Sequence, residues 1–180
     1  MALGVDDFKA KLKGGGARSN LFKVTLLAPQ VAGLDTELAS FMVEGANLPA
    51  SRIDPIPVAF RGRYVQVAGD RTFDPWTVTV INDTGFEIRD ALERWMNSIN
   101  AHKTNTGERT PTSYESDLYV DQLDREGGVL KRYYFRGCFP SELSEIALSF
   151  GTNNEIERFT ATFQVQYWEG LSGNGQKTTS

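Results

Sequence analysis

Between Glu157 and Tyr167 the chain alternates without a break. Phe159, Ala161, Phe163, Val165 and Tyr167 take the odd positions, and Thr160, Thr162, Gln164 and Gln166 the even ones. A period of two sends the two sets to opposite faces of a β-strand, so this segment belongs half-buried in a sheet. No charge occurs from Phe159 to Trp168, although a solvated strand usually carries Lys or Glu against edge pairing. Such a face suits a wall turned toward an enclosed, wet space. It also suits the uncharged outer side of an antiparallel sheet, the reading that patterning alone favours.

The rest of the chain extends the β pattern. Leu21 to Leu27, Arg63 to Ala68, Trp76 to Ile81, Asp117 to Leu123, Val129 to Phe139 and Leu143 to Phe150 read as strands, and Phe41-Met42-Val43 begins another. Ile53 to Phe60 contains Pro55 and Pro57, which lack a ladder donor, and therefore belongs at an edge. Gly69-Asp70-Arg71 offers turn chemistry, and Asp124 to Gly128 a hairpin loop.

One helix interrupts the strands. Thr84 precedes Glu87 by the spacing of a capping box, and Ile88, Ala91, Leu92, Trp95, Met96 and Ile99 form one apolar stripe. Glu87, Arg89, Asp90, Glu93, Arg94 and Asn97 lie opposite. The acids there read either as a docking face or as a solvated face laced by i,i+4 pairs. Residues 101–115 are polar and loop-like. About eight strands and one helix predict a mainly β fold: an antiparallel β-sandwich or barrel with one flanking α-helix.

The ends differ from this body. Val5, Phe8 and Leu12 recur at helical spacing before Gly14-Gly15-Gly16, so residues 1–19 read as an arm, frayed or docked. Residues 20–169 form a single domain, and the Gly-, Ser- and Thr-rich residues 170–180 a flexible tail.

Composition narrows the chemistry. With 180 residues, 40% of them hydrophobic, the chain can bury a core without staples. Its net charge of −4 argues against a broad surface for holding nucleic acid. A single Cys138 excludes an intrachain disulfide, and a single His102 leaves most metal-ligand sets unfilled. Cys138 sits in an apolar strand and His102 in a polar loop, so the pair reads as a small hydrophobe and a loop residue. Gly14 to Ser19 lacks the Lys of a phosphate-binding loop and leads into a strand. Trp76 and Trp95 read as core, with Trp168 free near the tail. No apolar run approaches the ~18 residues of a membrane span, and the N-terminus lacks a basic, then apolar, leader. The expectation is a soluble intracellular protein, not an enzyme, with no catalytic site, cofactor or metal and no stable membrane association.

Several motifs then resemble one family as a set. These are Ile56-Pro57-Val58 with Phe60, Val67 to Phe73, Trp76 to Val80 with Asn82-Asp83, Asn153-Asn154-Glu155-Ile156, and Tyr167-Trp168-Glu169. In this order and spacing the chain, over roughly residues 5–169, resembles the major tail tube protein of contractile-tailed bacteriophages. The resemblance implies a structural subunit forming stacked homohexameric rings inside a sheath, with strands lining a lumen that conducts DNA into the host. It implies a virion location after assembly in the host cytoplasm. The implied partners are further copies of the chain, the tail sheath, tape measure, baseplate and tail terminator proteins, and DNA in transit. Two prolines at an edge with Arg61, Arg63, Asp70 and Arg71 suit inter-subunit or inter-ring contacts by polar pairing, and the resemblance implies a sheath-facing helix bearing Glu87, Asp90, Glu93 and Arg94. Thr160, Thr162, Gln164 and Gln166 would face the lumen. Residues 29–38 depart from the family pattern as a longer loop, and 170–180 as an extension. The rival readings are the inner tube of a tail-like bacteriocin or type VI secretion apparatus, and a monomeric β-sandwich binding module.

Overall fold

The computed structural model describes residues 4–12, 14 and 16–173. The N-terminal helix α1 (Val5–Lys11) carries Asp6 and Asp7 in its first turn and Lys9 and Lys11 in its last, matching the helix dipole. None of its residues is buried. The alternating segments then build one antiparallel layer system. Strands β1 (Phe22–Leu26), β2 (Val43–Ala46), β5 (Trp76–Ile81), β6 (Ser116–Leu123), β7 (Val129–Leu143) and β8 (Arg158–Gln164) run in the order β1-β6-β7-β8-β5-β2, and β9 (Tyr167–Ser172) pairs with β7. The first half of β7 pairs with β6 and β9 and its second half with β8. This long strand therefore belongs to both layers. It turns at Gly137, whose φ of 60° and close approach to Gln166 leave no room for a side chain.

The core lies between the layers. Trp76 stacks on Phe135 at 4.3 Å between ring centroids, and Phe163 packs near both Trp76 and Trp95. Helix α3 (Glu87–Ile99) buries Ile88, Ala91, Leu92 and Trp95 against this core. The Trp95 indole donates to the Tyr114 carbonyl at 2.7 Å, so its polar atom is satisfied. Each large side chain buried here stabilises the fold by roughly 1.5–3 kcal/mol. Strands β3 (Ser51–Phe60) and β4 (Arg63–Phe73) stand apart as a separate two-stranded ribbon.

Several expectations need correction. Phe41 and Met42 do not begin a strand; they end helix α2 (Thr36–Met42). Asp35 causes this, because its carboxylate accepts from the Glu37 and Leu38 amides and nucleates a helix. The segment 29–38 is accordingly a 3₁₀ turn, Gln30–Ala32, followed by the start of α2. Gly69-Asp70-Arg71 is not a turn but part of β4, where a bulge sets Gly69 and Asp70 opposite Asp54. A Cβ at Gly69 would meet the Asp54 carbonyl oxygen at 2.4 Å, so the glycine admits the bulge.

Thr84 does not cap α3. Phe86 holds the N-cap position in the left-handed region, and Asp83 accepts from the Gly85 and Glu87 amides. The polar stretch 101–115 includes one short helix, α4 (Pro111–Tyr114). Past Leu143 the chain leaves regular structure, although the Ser144 amide still donates to the Thr160 carbonyl.

The alternation at 157–167 outlives its strand. β8 ends at Gln164, and β9 resumes at Tyr167, still running antiparallel along β7. Trp168 is not free: its indole donates to the Ala50 carbonyl at 3.1 Å and its ring packs edge-on to Phe73 and Tyr133. β9 carries residues 170–172 into the sheet, while residues 174–180 of the expected tail lie outside the described residues.

Candidate assembly surfaces

The β3–β4 ribbon is the first surface. Phe60 pairs with Arg63, leaving Arg61 and Gly62 as a two-residue turn with φ of 45° and 80°. Positive φ at both positions is the hairpin turn whose twist matches the strands. Cross-strand partners share a face, so the pairs Ile56–Val67, Val58–Val65 and Phe60–Arg63 gather five apolar side chains on one side. All five are about half exposed, from 48% at Val58 and Val67 to 62% at Phe60. A two-stranded ribbon is marginal alone in water, and this one exposes a continuous apolar strip. At its tip the Arg61 guanidinium lies 5.4 Å from the centroid of the Phe60 ring. Among the described residues Arg61, Arg63, Asp70 and Arg71 enter no salt bridge, whereas Arg52 bridges Asp54 and Asp74 nearer the base.

The second surface is the outer side of α3. Glu87, Asp90 and Glu93 are exposed there. Glu93 accepts from the Arg89 guanidinium at 2.9 Å, the i,i+4 pair the sequence offers. Arg94 does other work: its Nε donates to the Ala32 carbonyl at 2.9 Å and clamps the 3₁₀ turn to α3. Glu87, Asp90 and Arg94 also line a cleft of about 270 Å³ closed by Gly33, Asp35 and Leu38.

The third surface is the polar face of β5 and β8. Thr77 opposes Thr162, and Thr79 opposes Thr160. Gln164 reaches Ser141 at 3.5 Å. The Phe159, Ala161 and Phe163 side chains point the other way, where Trp95 of α3 meets Phe163. The threonine face and the acidic helix face thus lie on opposite sides of the β5–β8 layer. Arg158 flanks this face and is paired with Glu44, and Glu142 stands beside Thr162. Gln166 does not join the row: it sits between β8 and β9, and its side-chain amide donates to Glu115 at 3.3 Å.

A fourth cluster, which the sequence reading missed, covers β6, β7 and β9. Arg132 forms a two-point contact with the buried Asp121 and lies over the rings of Tyr119 and Tyr134. Arg136 joins Asp117 and Glu169. The hydrogen bonds to Asp121 raise the Arg132 pKa further above its already high ordinary value. The signal was the i,i+2 repeat Arg132, Tyr134, Arg136 facing Asp117, Tyr119, Asp121 across a hairpin. Cys138 is buried, and desolvation first, then Asp117, pushes its thiol up to about 12. No cluster of His, Cys, Asp and Glu suited to a metal occurs among the described residues.

Comparison with known proteins follows the same lines. The family model described as phage tail tube protein matches residues 17–170. Tail tube protein gp19 of Enterobacteria phage T4 is 37% identical over 169 residues, covering 92% of this chain and 99% of gp19. Among solved structures, the tube-terminating cap of the anti-feeding prophage aligns with a TM-score of 0.64 at 19% identity, over 87% of this chain and 91% of that one. The sheath-tube complex of an extracellular contractile injection system in its extended state aligns with a TM-score of 0.57 at 14% identity, over 94% and 98%. At these identities the structural likeness concerns the fold alone.

Proposed function

The chain belongs to the phage tail tube protein family, and from that premise we propose that its copies assemble into hexameric rings stacked as a tube whose lumen conducts DNA into the host. It is a structural component of the virion of a contractile-tailed phage, and not an enzyme. The observation that carries the assembly reading is the ribbon β3–β4. Its five half-exposed apolar side chains have no cover within the subunit, and burying them against another copy supplies the driving force. Arg61, Arg63, Asp70 and Arg71 surround that strip and set its register by charge.

The two faces of the β5–β8 layer take different roles. Thr160, Thr162 and Gln164 line the lumen, hydrated and uncharged, and the cation that flanks them, Arg158, is neutralised by Glu44 while Glu142 adds an acid, so a passing polyanion meets no unpaired cationic belt that releases its counterions and holds it. Gln166 stands at the margin of that row. Glu87, Asp90 and Glu93 on α3 face outward to the tail sheath, and Arg94 positions the neighbouring turn. The tape measure protein, baseplate and tail terminator meet the lumen and the ends of such a tube. Similar folds occur in related contractile systems, and the 37% identity to a phage tail tube protein favours the phage over an injection apparatus. The test is sedimentation over a range of protein concentrations and salt. A tube subunit sediments as rings or polymers, while a binding module stays near 20.0 kDa.

A further inference from the structure

Two exposed clusters on the subunit differ in charge. One is the ribbon tip, where the apolar strip of Ile56, Val58, Phe60, Val65 and Val67 ends in Arg61 and Arg63. The other lies in the irregular loop after β7. Leu148, Phe150 and Ile156 are exposed there, and Leu148, Phe150, Glu155 and Glu157 line a cup of about 420 Å³. Glu157 partly turns inward to accept from Asn82 at 3.0 Å. Glu155 enters no hydrogen bond or salt bridge among the described residues, and the nearby cation that feels its charge, Arg158, is bridged to Glu44.

The geometry points to a contact between copies in which the basic, apolar tip of β3–β4 on one subunit seats in the acidic, apolar cup at residues 147–157 of the next. This rests on the assembly reading above and names the surface that receives the ribbon. Like meets like poorly here: two tips bring Arg61 and Arg63 against each other, and two cups bring carboxylates together. Tip against cup pairs opposite charges and covers apolar surface on both sides. No hydrogen bond or salt bridge among the described residues joins the ribbon to 144–157 of its own chain. A strand of ten residues reaches roughly 33 Å, long enough to extend beyond its own subunit. The acids of α3 fit less well, because Glu93 is already bound to Arg89 and the apolar stripe of that helix is buried. Tip and cup are different patches, so the contact is heterologous and repeats into a ring or a filament.

The test uses full-length chains carrying Cys138→Ser. One chain also carries Arg63→Cys and the other Phe150→Cys; the two are mixed, assembled and oxidised. The expected result is a disulfide-linked dimer containing one chain of each kind. Independently, Arg61→Glu with Arg63→Glu is expected to lower polymer yield at least tenfold, with recovery when Glu155→Arg is added. Normal tubes without that cross-link, or a cross-link from Arg63→Cys to Asp90→Cys on α3 instead, overturn the cup assignment and leave the assembly reading intact. A wild-type chain that never assembles overturns both.

Discussion

The hydroxyls of Thr77 and Thr162 lie 3.2 Å apart across β5 and β8, hydrogen-bonded on the sheet face turned away from the core. The contact knits two neutral side chains across adjacent strands on a surface that carries no apolar core residue. If that face lines a channel, Thr162 is accessible in a free subunit and enclosed in a tube. Thr162→Cys in a Cys138→Ser background is expected to react with a bulky maleimide as subunits and to be protected in long tubes, except near their ends. Equal labelling in both states places Thr162 on the outside. In a working virion, Gln164→Lys is expected to slow DNA passage, more so at low salt.

The ribbon can be broken without touching the core. Gly69→Ala places a methyl group against the Asp54 carbonyl oxygen, while β3 and β4 form a sheet of their own. The expected outcome is lost polymerisation with a thermal midpoint within a few degrees of wild type, read by scanning calorimetry and sedimentation. Asp70→Arg and Arg71→Glu, tested singly, are expected to block polymerisation in the same way. Normal assembly by both removes these residues from the interface.

How much of this was legible in the sequence depends on the range of the physics involved. Strand alternation and the helical stripe are local, so β5, β8 and α3 stand where periodicity puts them. Asp35 reassigned Phe41 and Met42 through a cap six and seven residues away, a signal that was present but outweighed by their β propensity. The bulge at Gly69 and the break at Val165-Gln166 were invisible because each is set by the partner strand. Pro55 and Pro57 made the ribbon legible as an edge. Its apolar strip emerged only with the register, since Val65 and Val67 join Ile56, Val58 and Phe60 across the hairpin.

Asp121 and Arg132 supply a stability test independent of assembly. The Asp121 side chain is 4% exposed and that of Arg132 33%. Arg132→Ala leaves a buried carboxylate without its main partner. The expected loss is about 2–3 kcal/mol in urea denaturation of the unassembled subunit, below the full cost of breaking a deeply buried pair because Arg132 is partly solvated.

Cys138 gives a pH dependence. Burial holds its folded-state pKa up to about 12, above the ordinary thiol value of 9.0. The unfolded chain therefore loses this proton first as pH rises. The stabilisation is complete below about pH 9, the ordinary value, and fades as pH approaches the folded value near 12. Cys138→Ala is expected to flatten the decline in stability over that window relative to wild type. An unchanged profile removes Cys138 as its source.

On α3, replacing Glu87, Asp90 and Glu93 with Lys is expected to spare tubes and impair co-assembly with the sheath. The lost Arg89–Glu93 pair alone is worth roughly 0.3–0.5 kcal/mol, too little to unfold a subunit. Sheath that assembles normally on such tubes returns these acids to an ordinary solvated face.

Electron microscopy of the purified chain, viewed end-on, tests the central claim most directly. The expected images are six-fold rings around an open channel, alone or stacked as tubes, with a bulky tag at Asp90→Cys in a Cys138→Ser background projecting from the outer rim. Only monomers across concentration, salt and seeding with tail baseplates, or rings with that tag inside the channel, would contradict it.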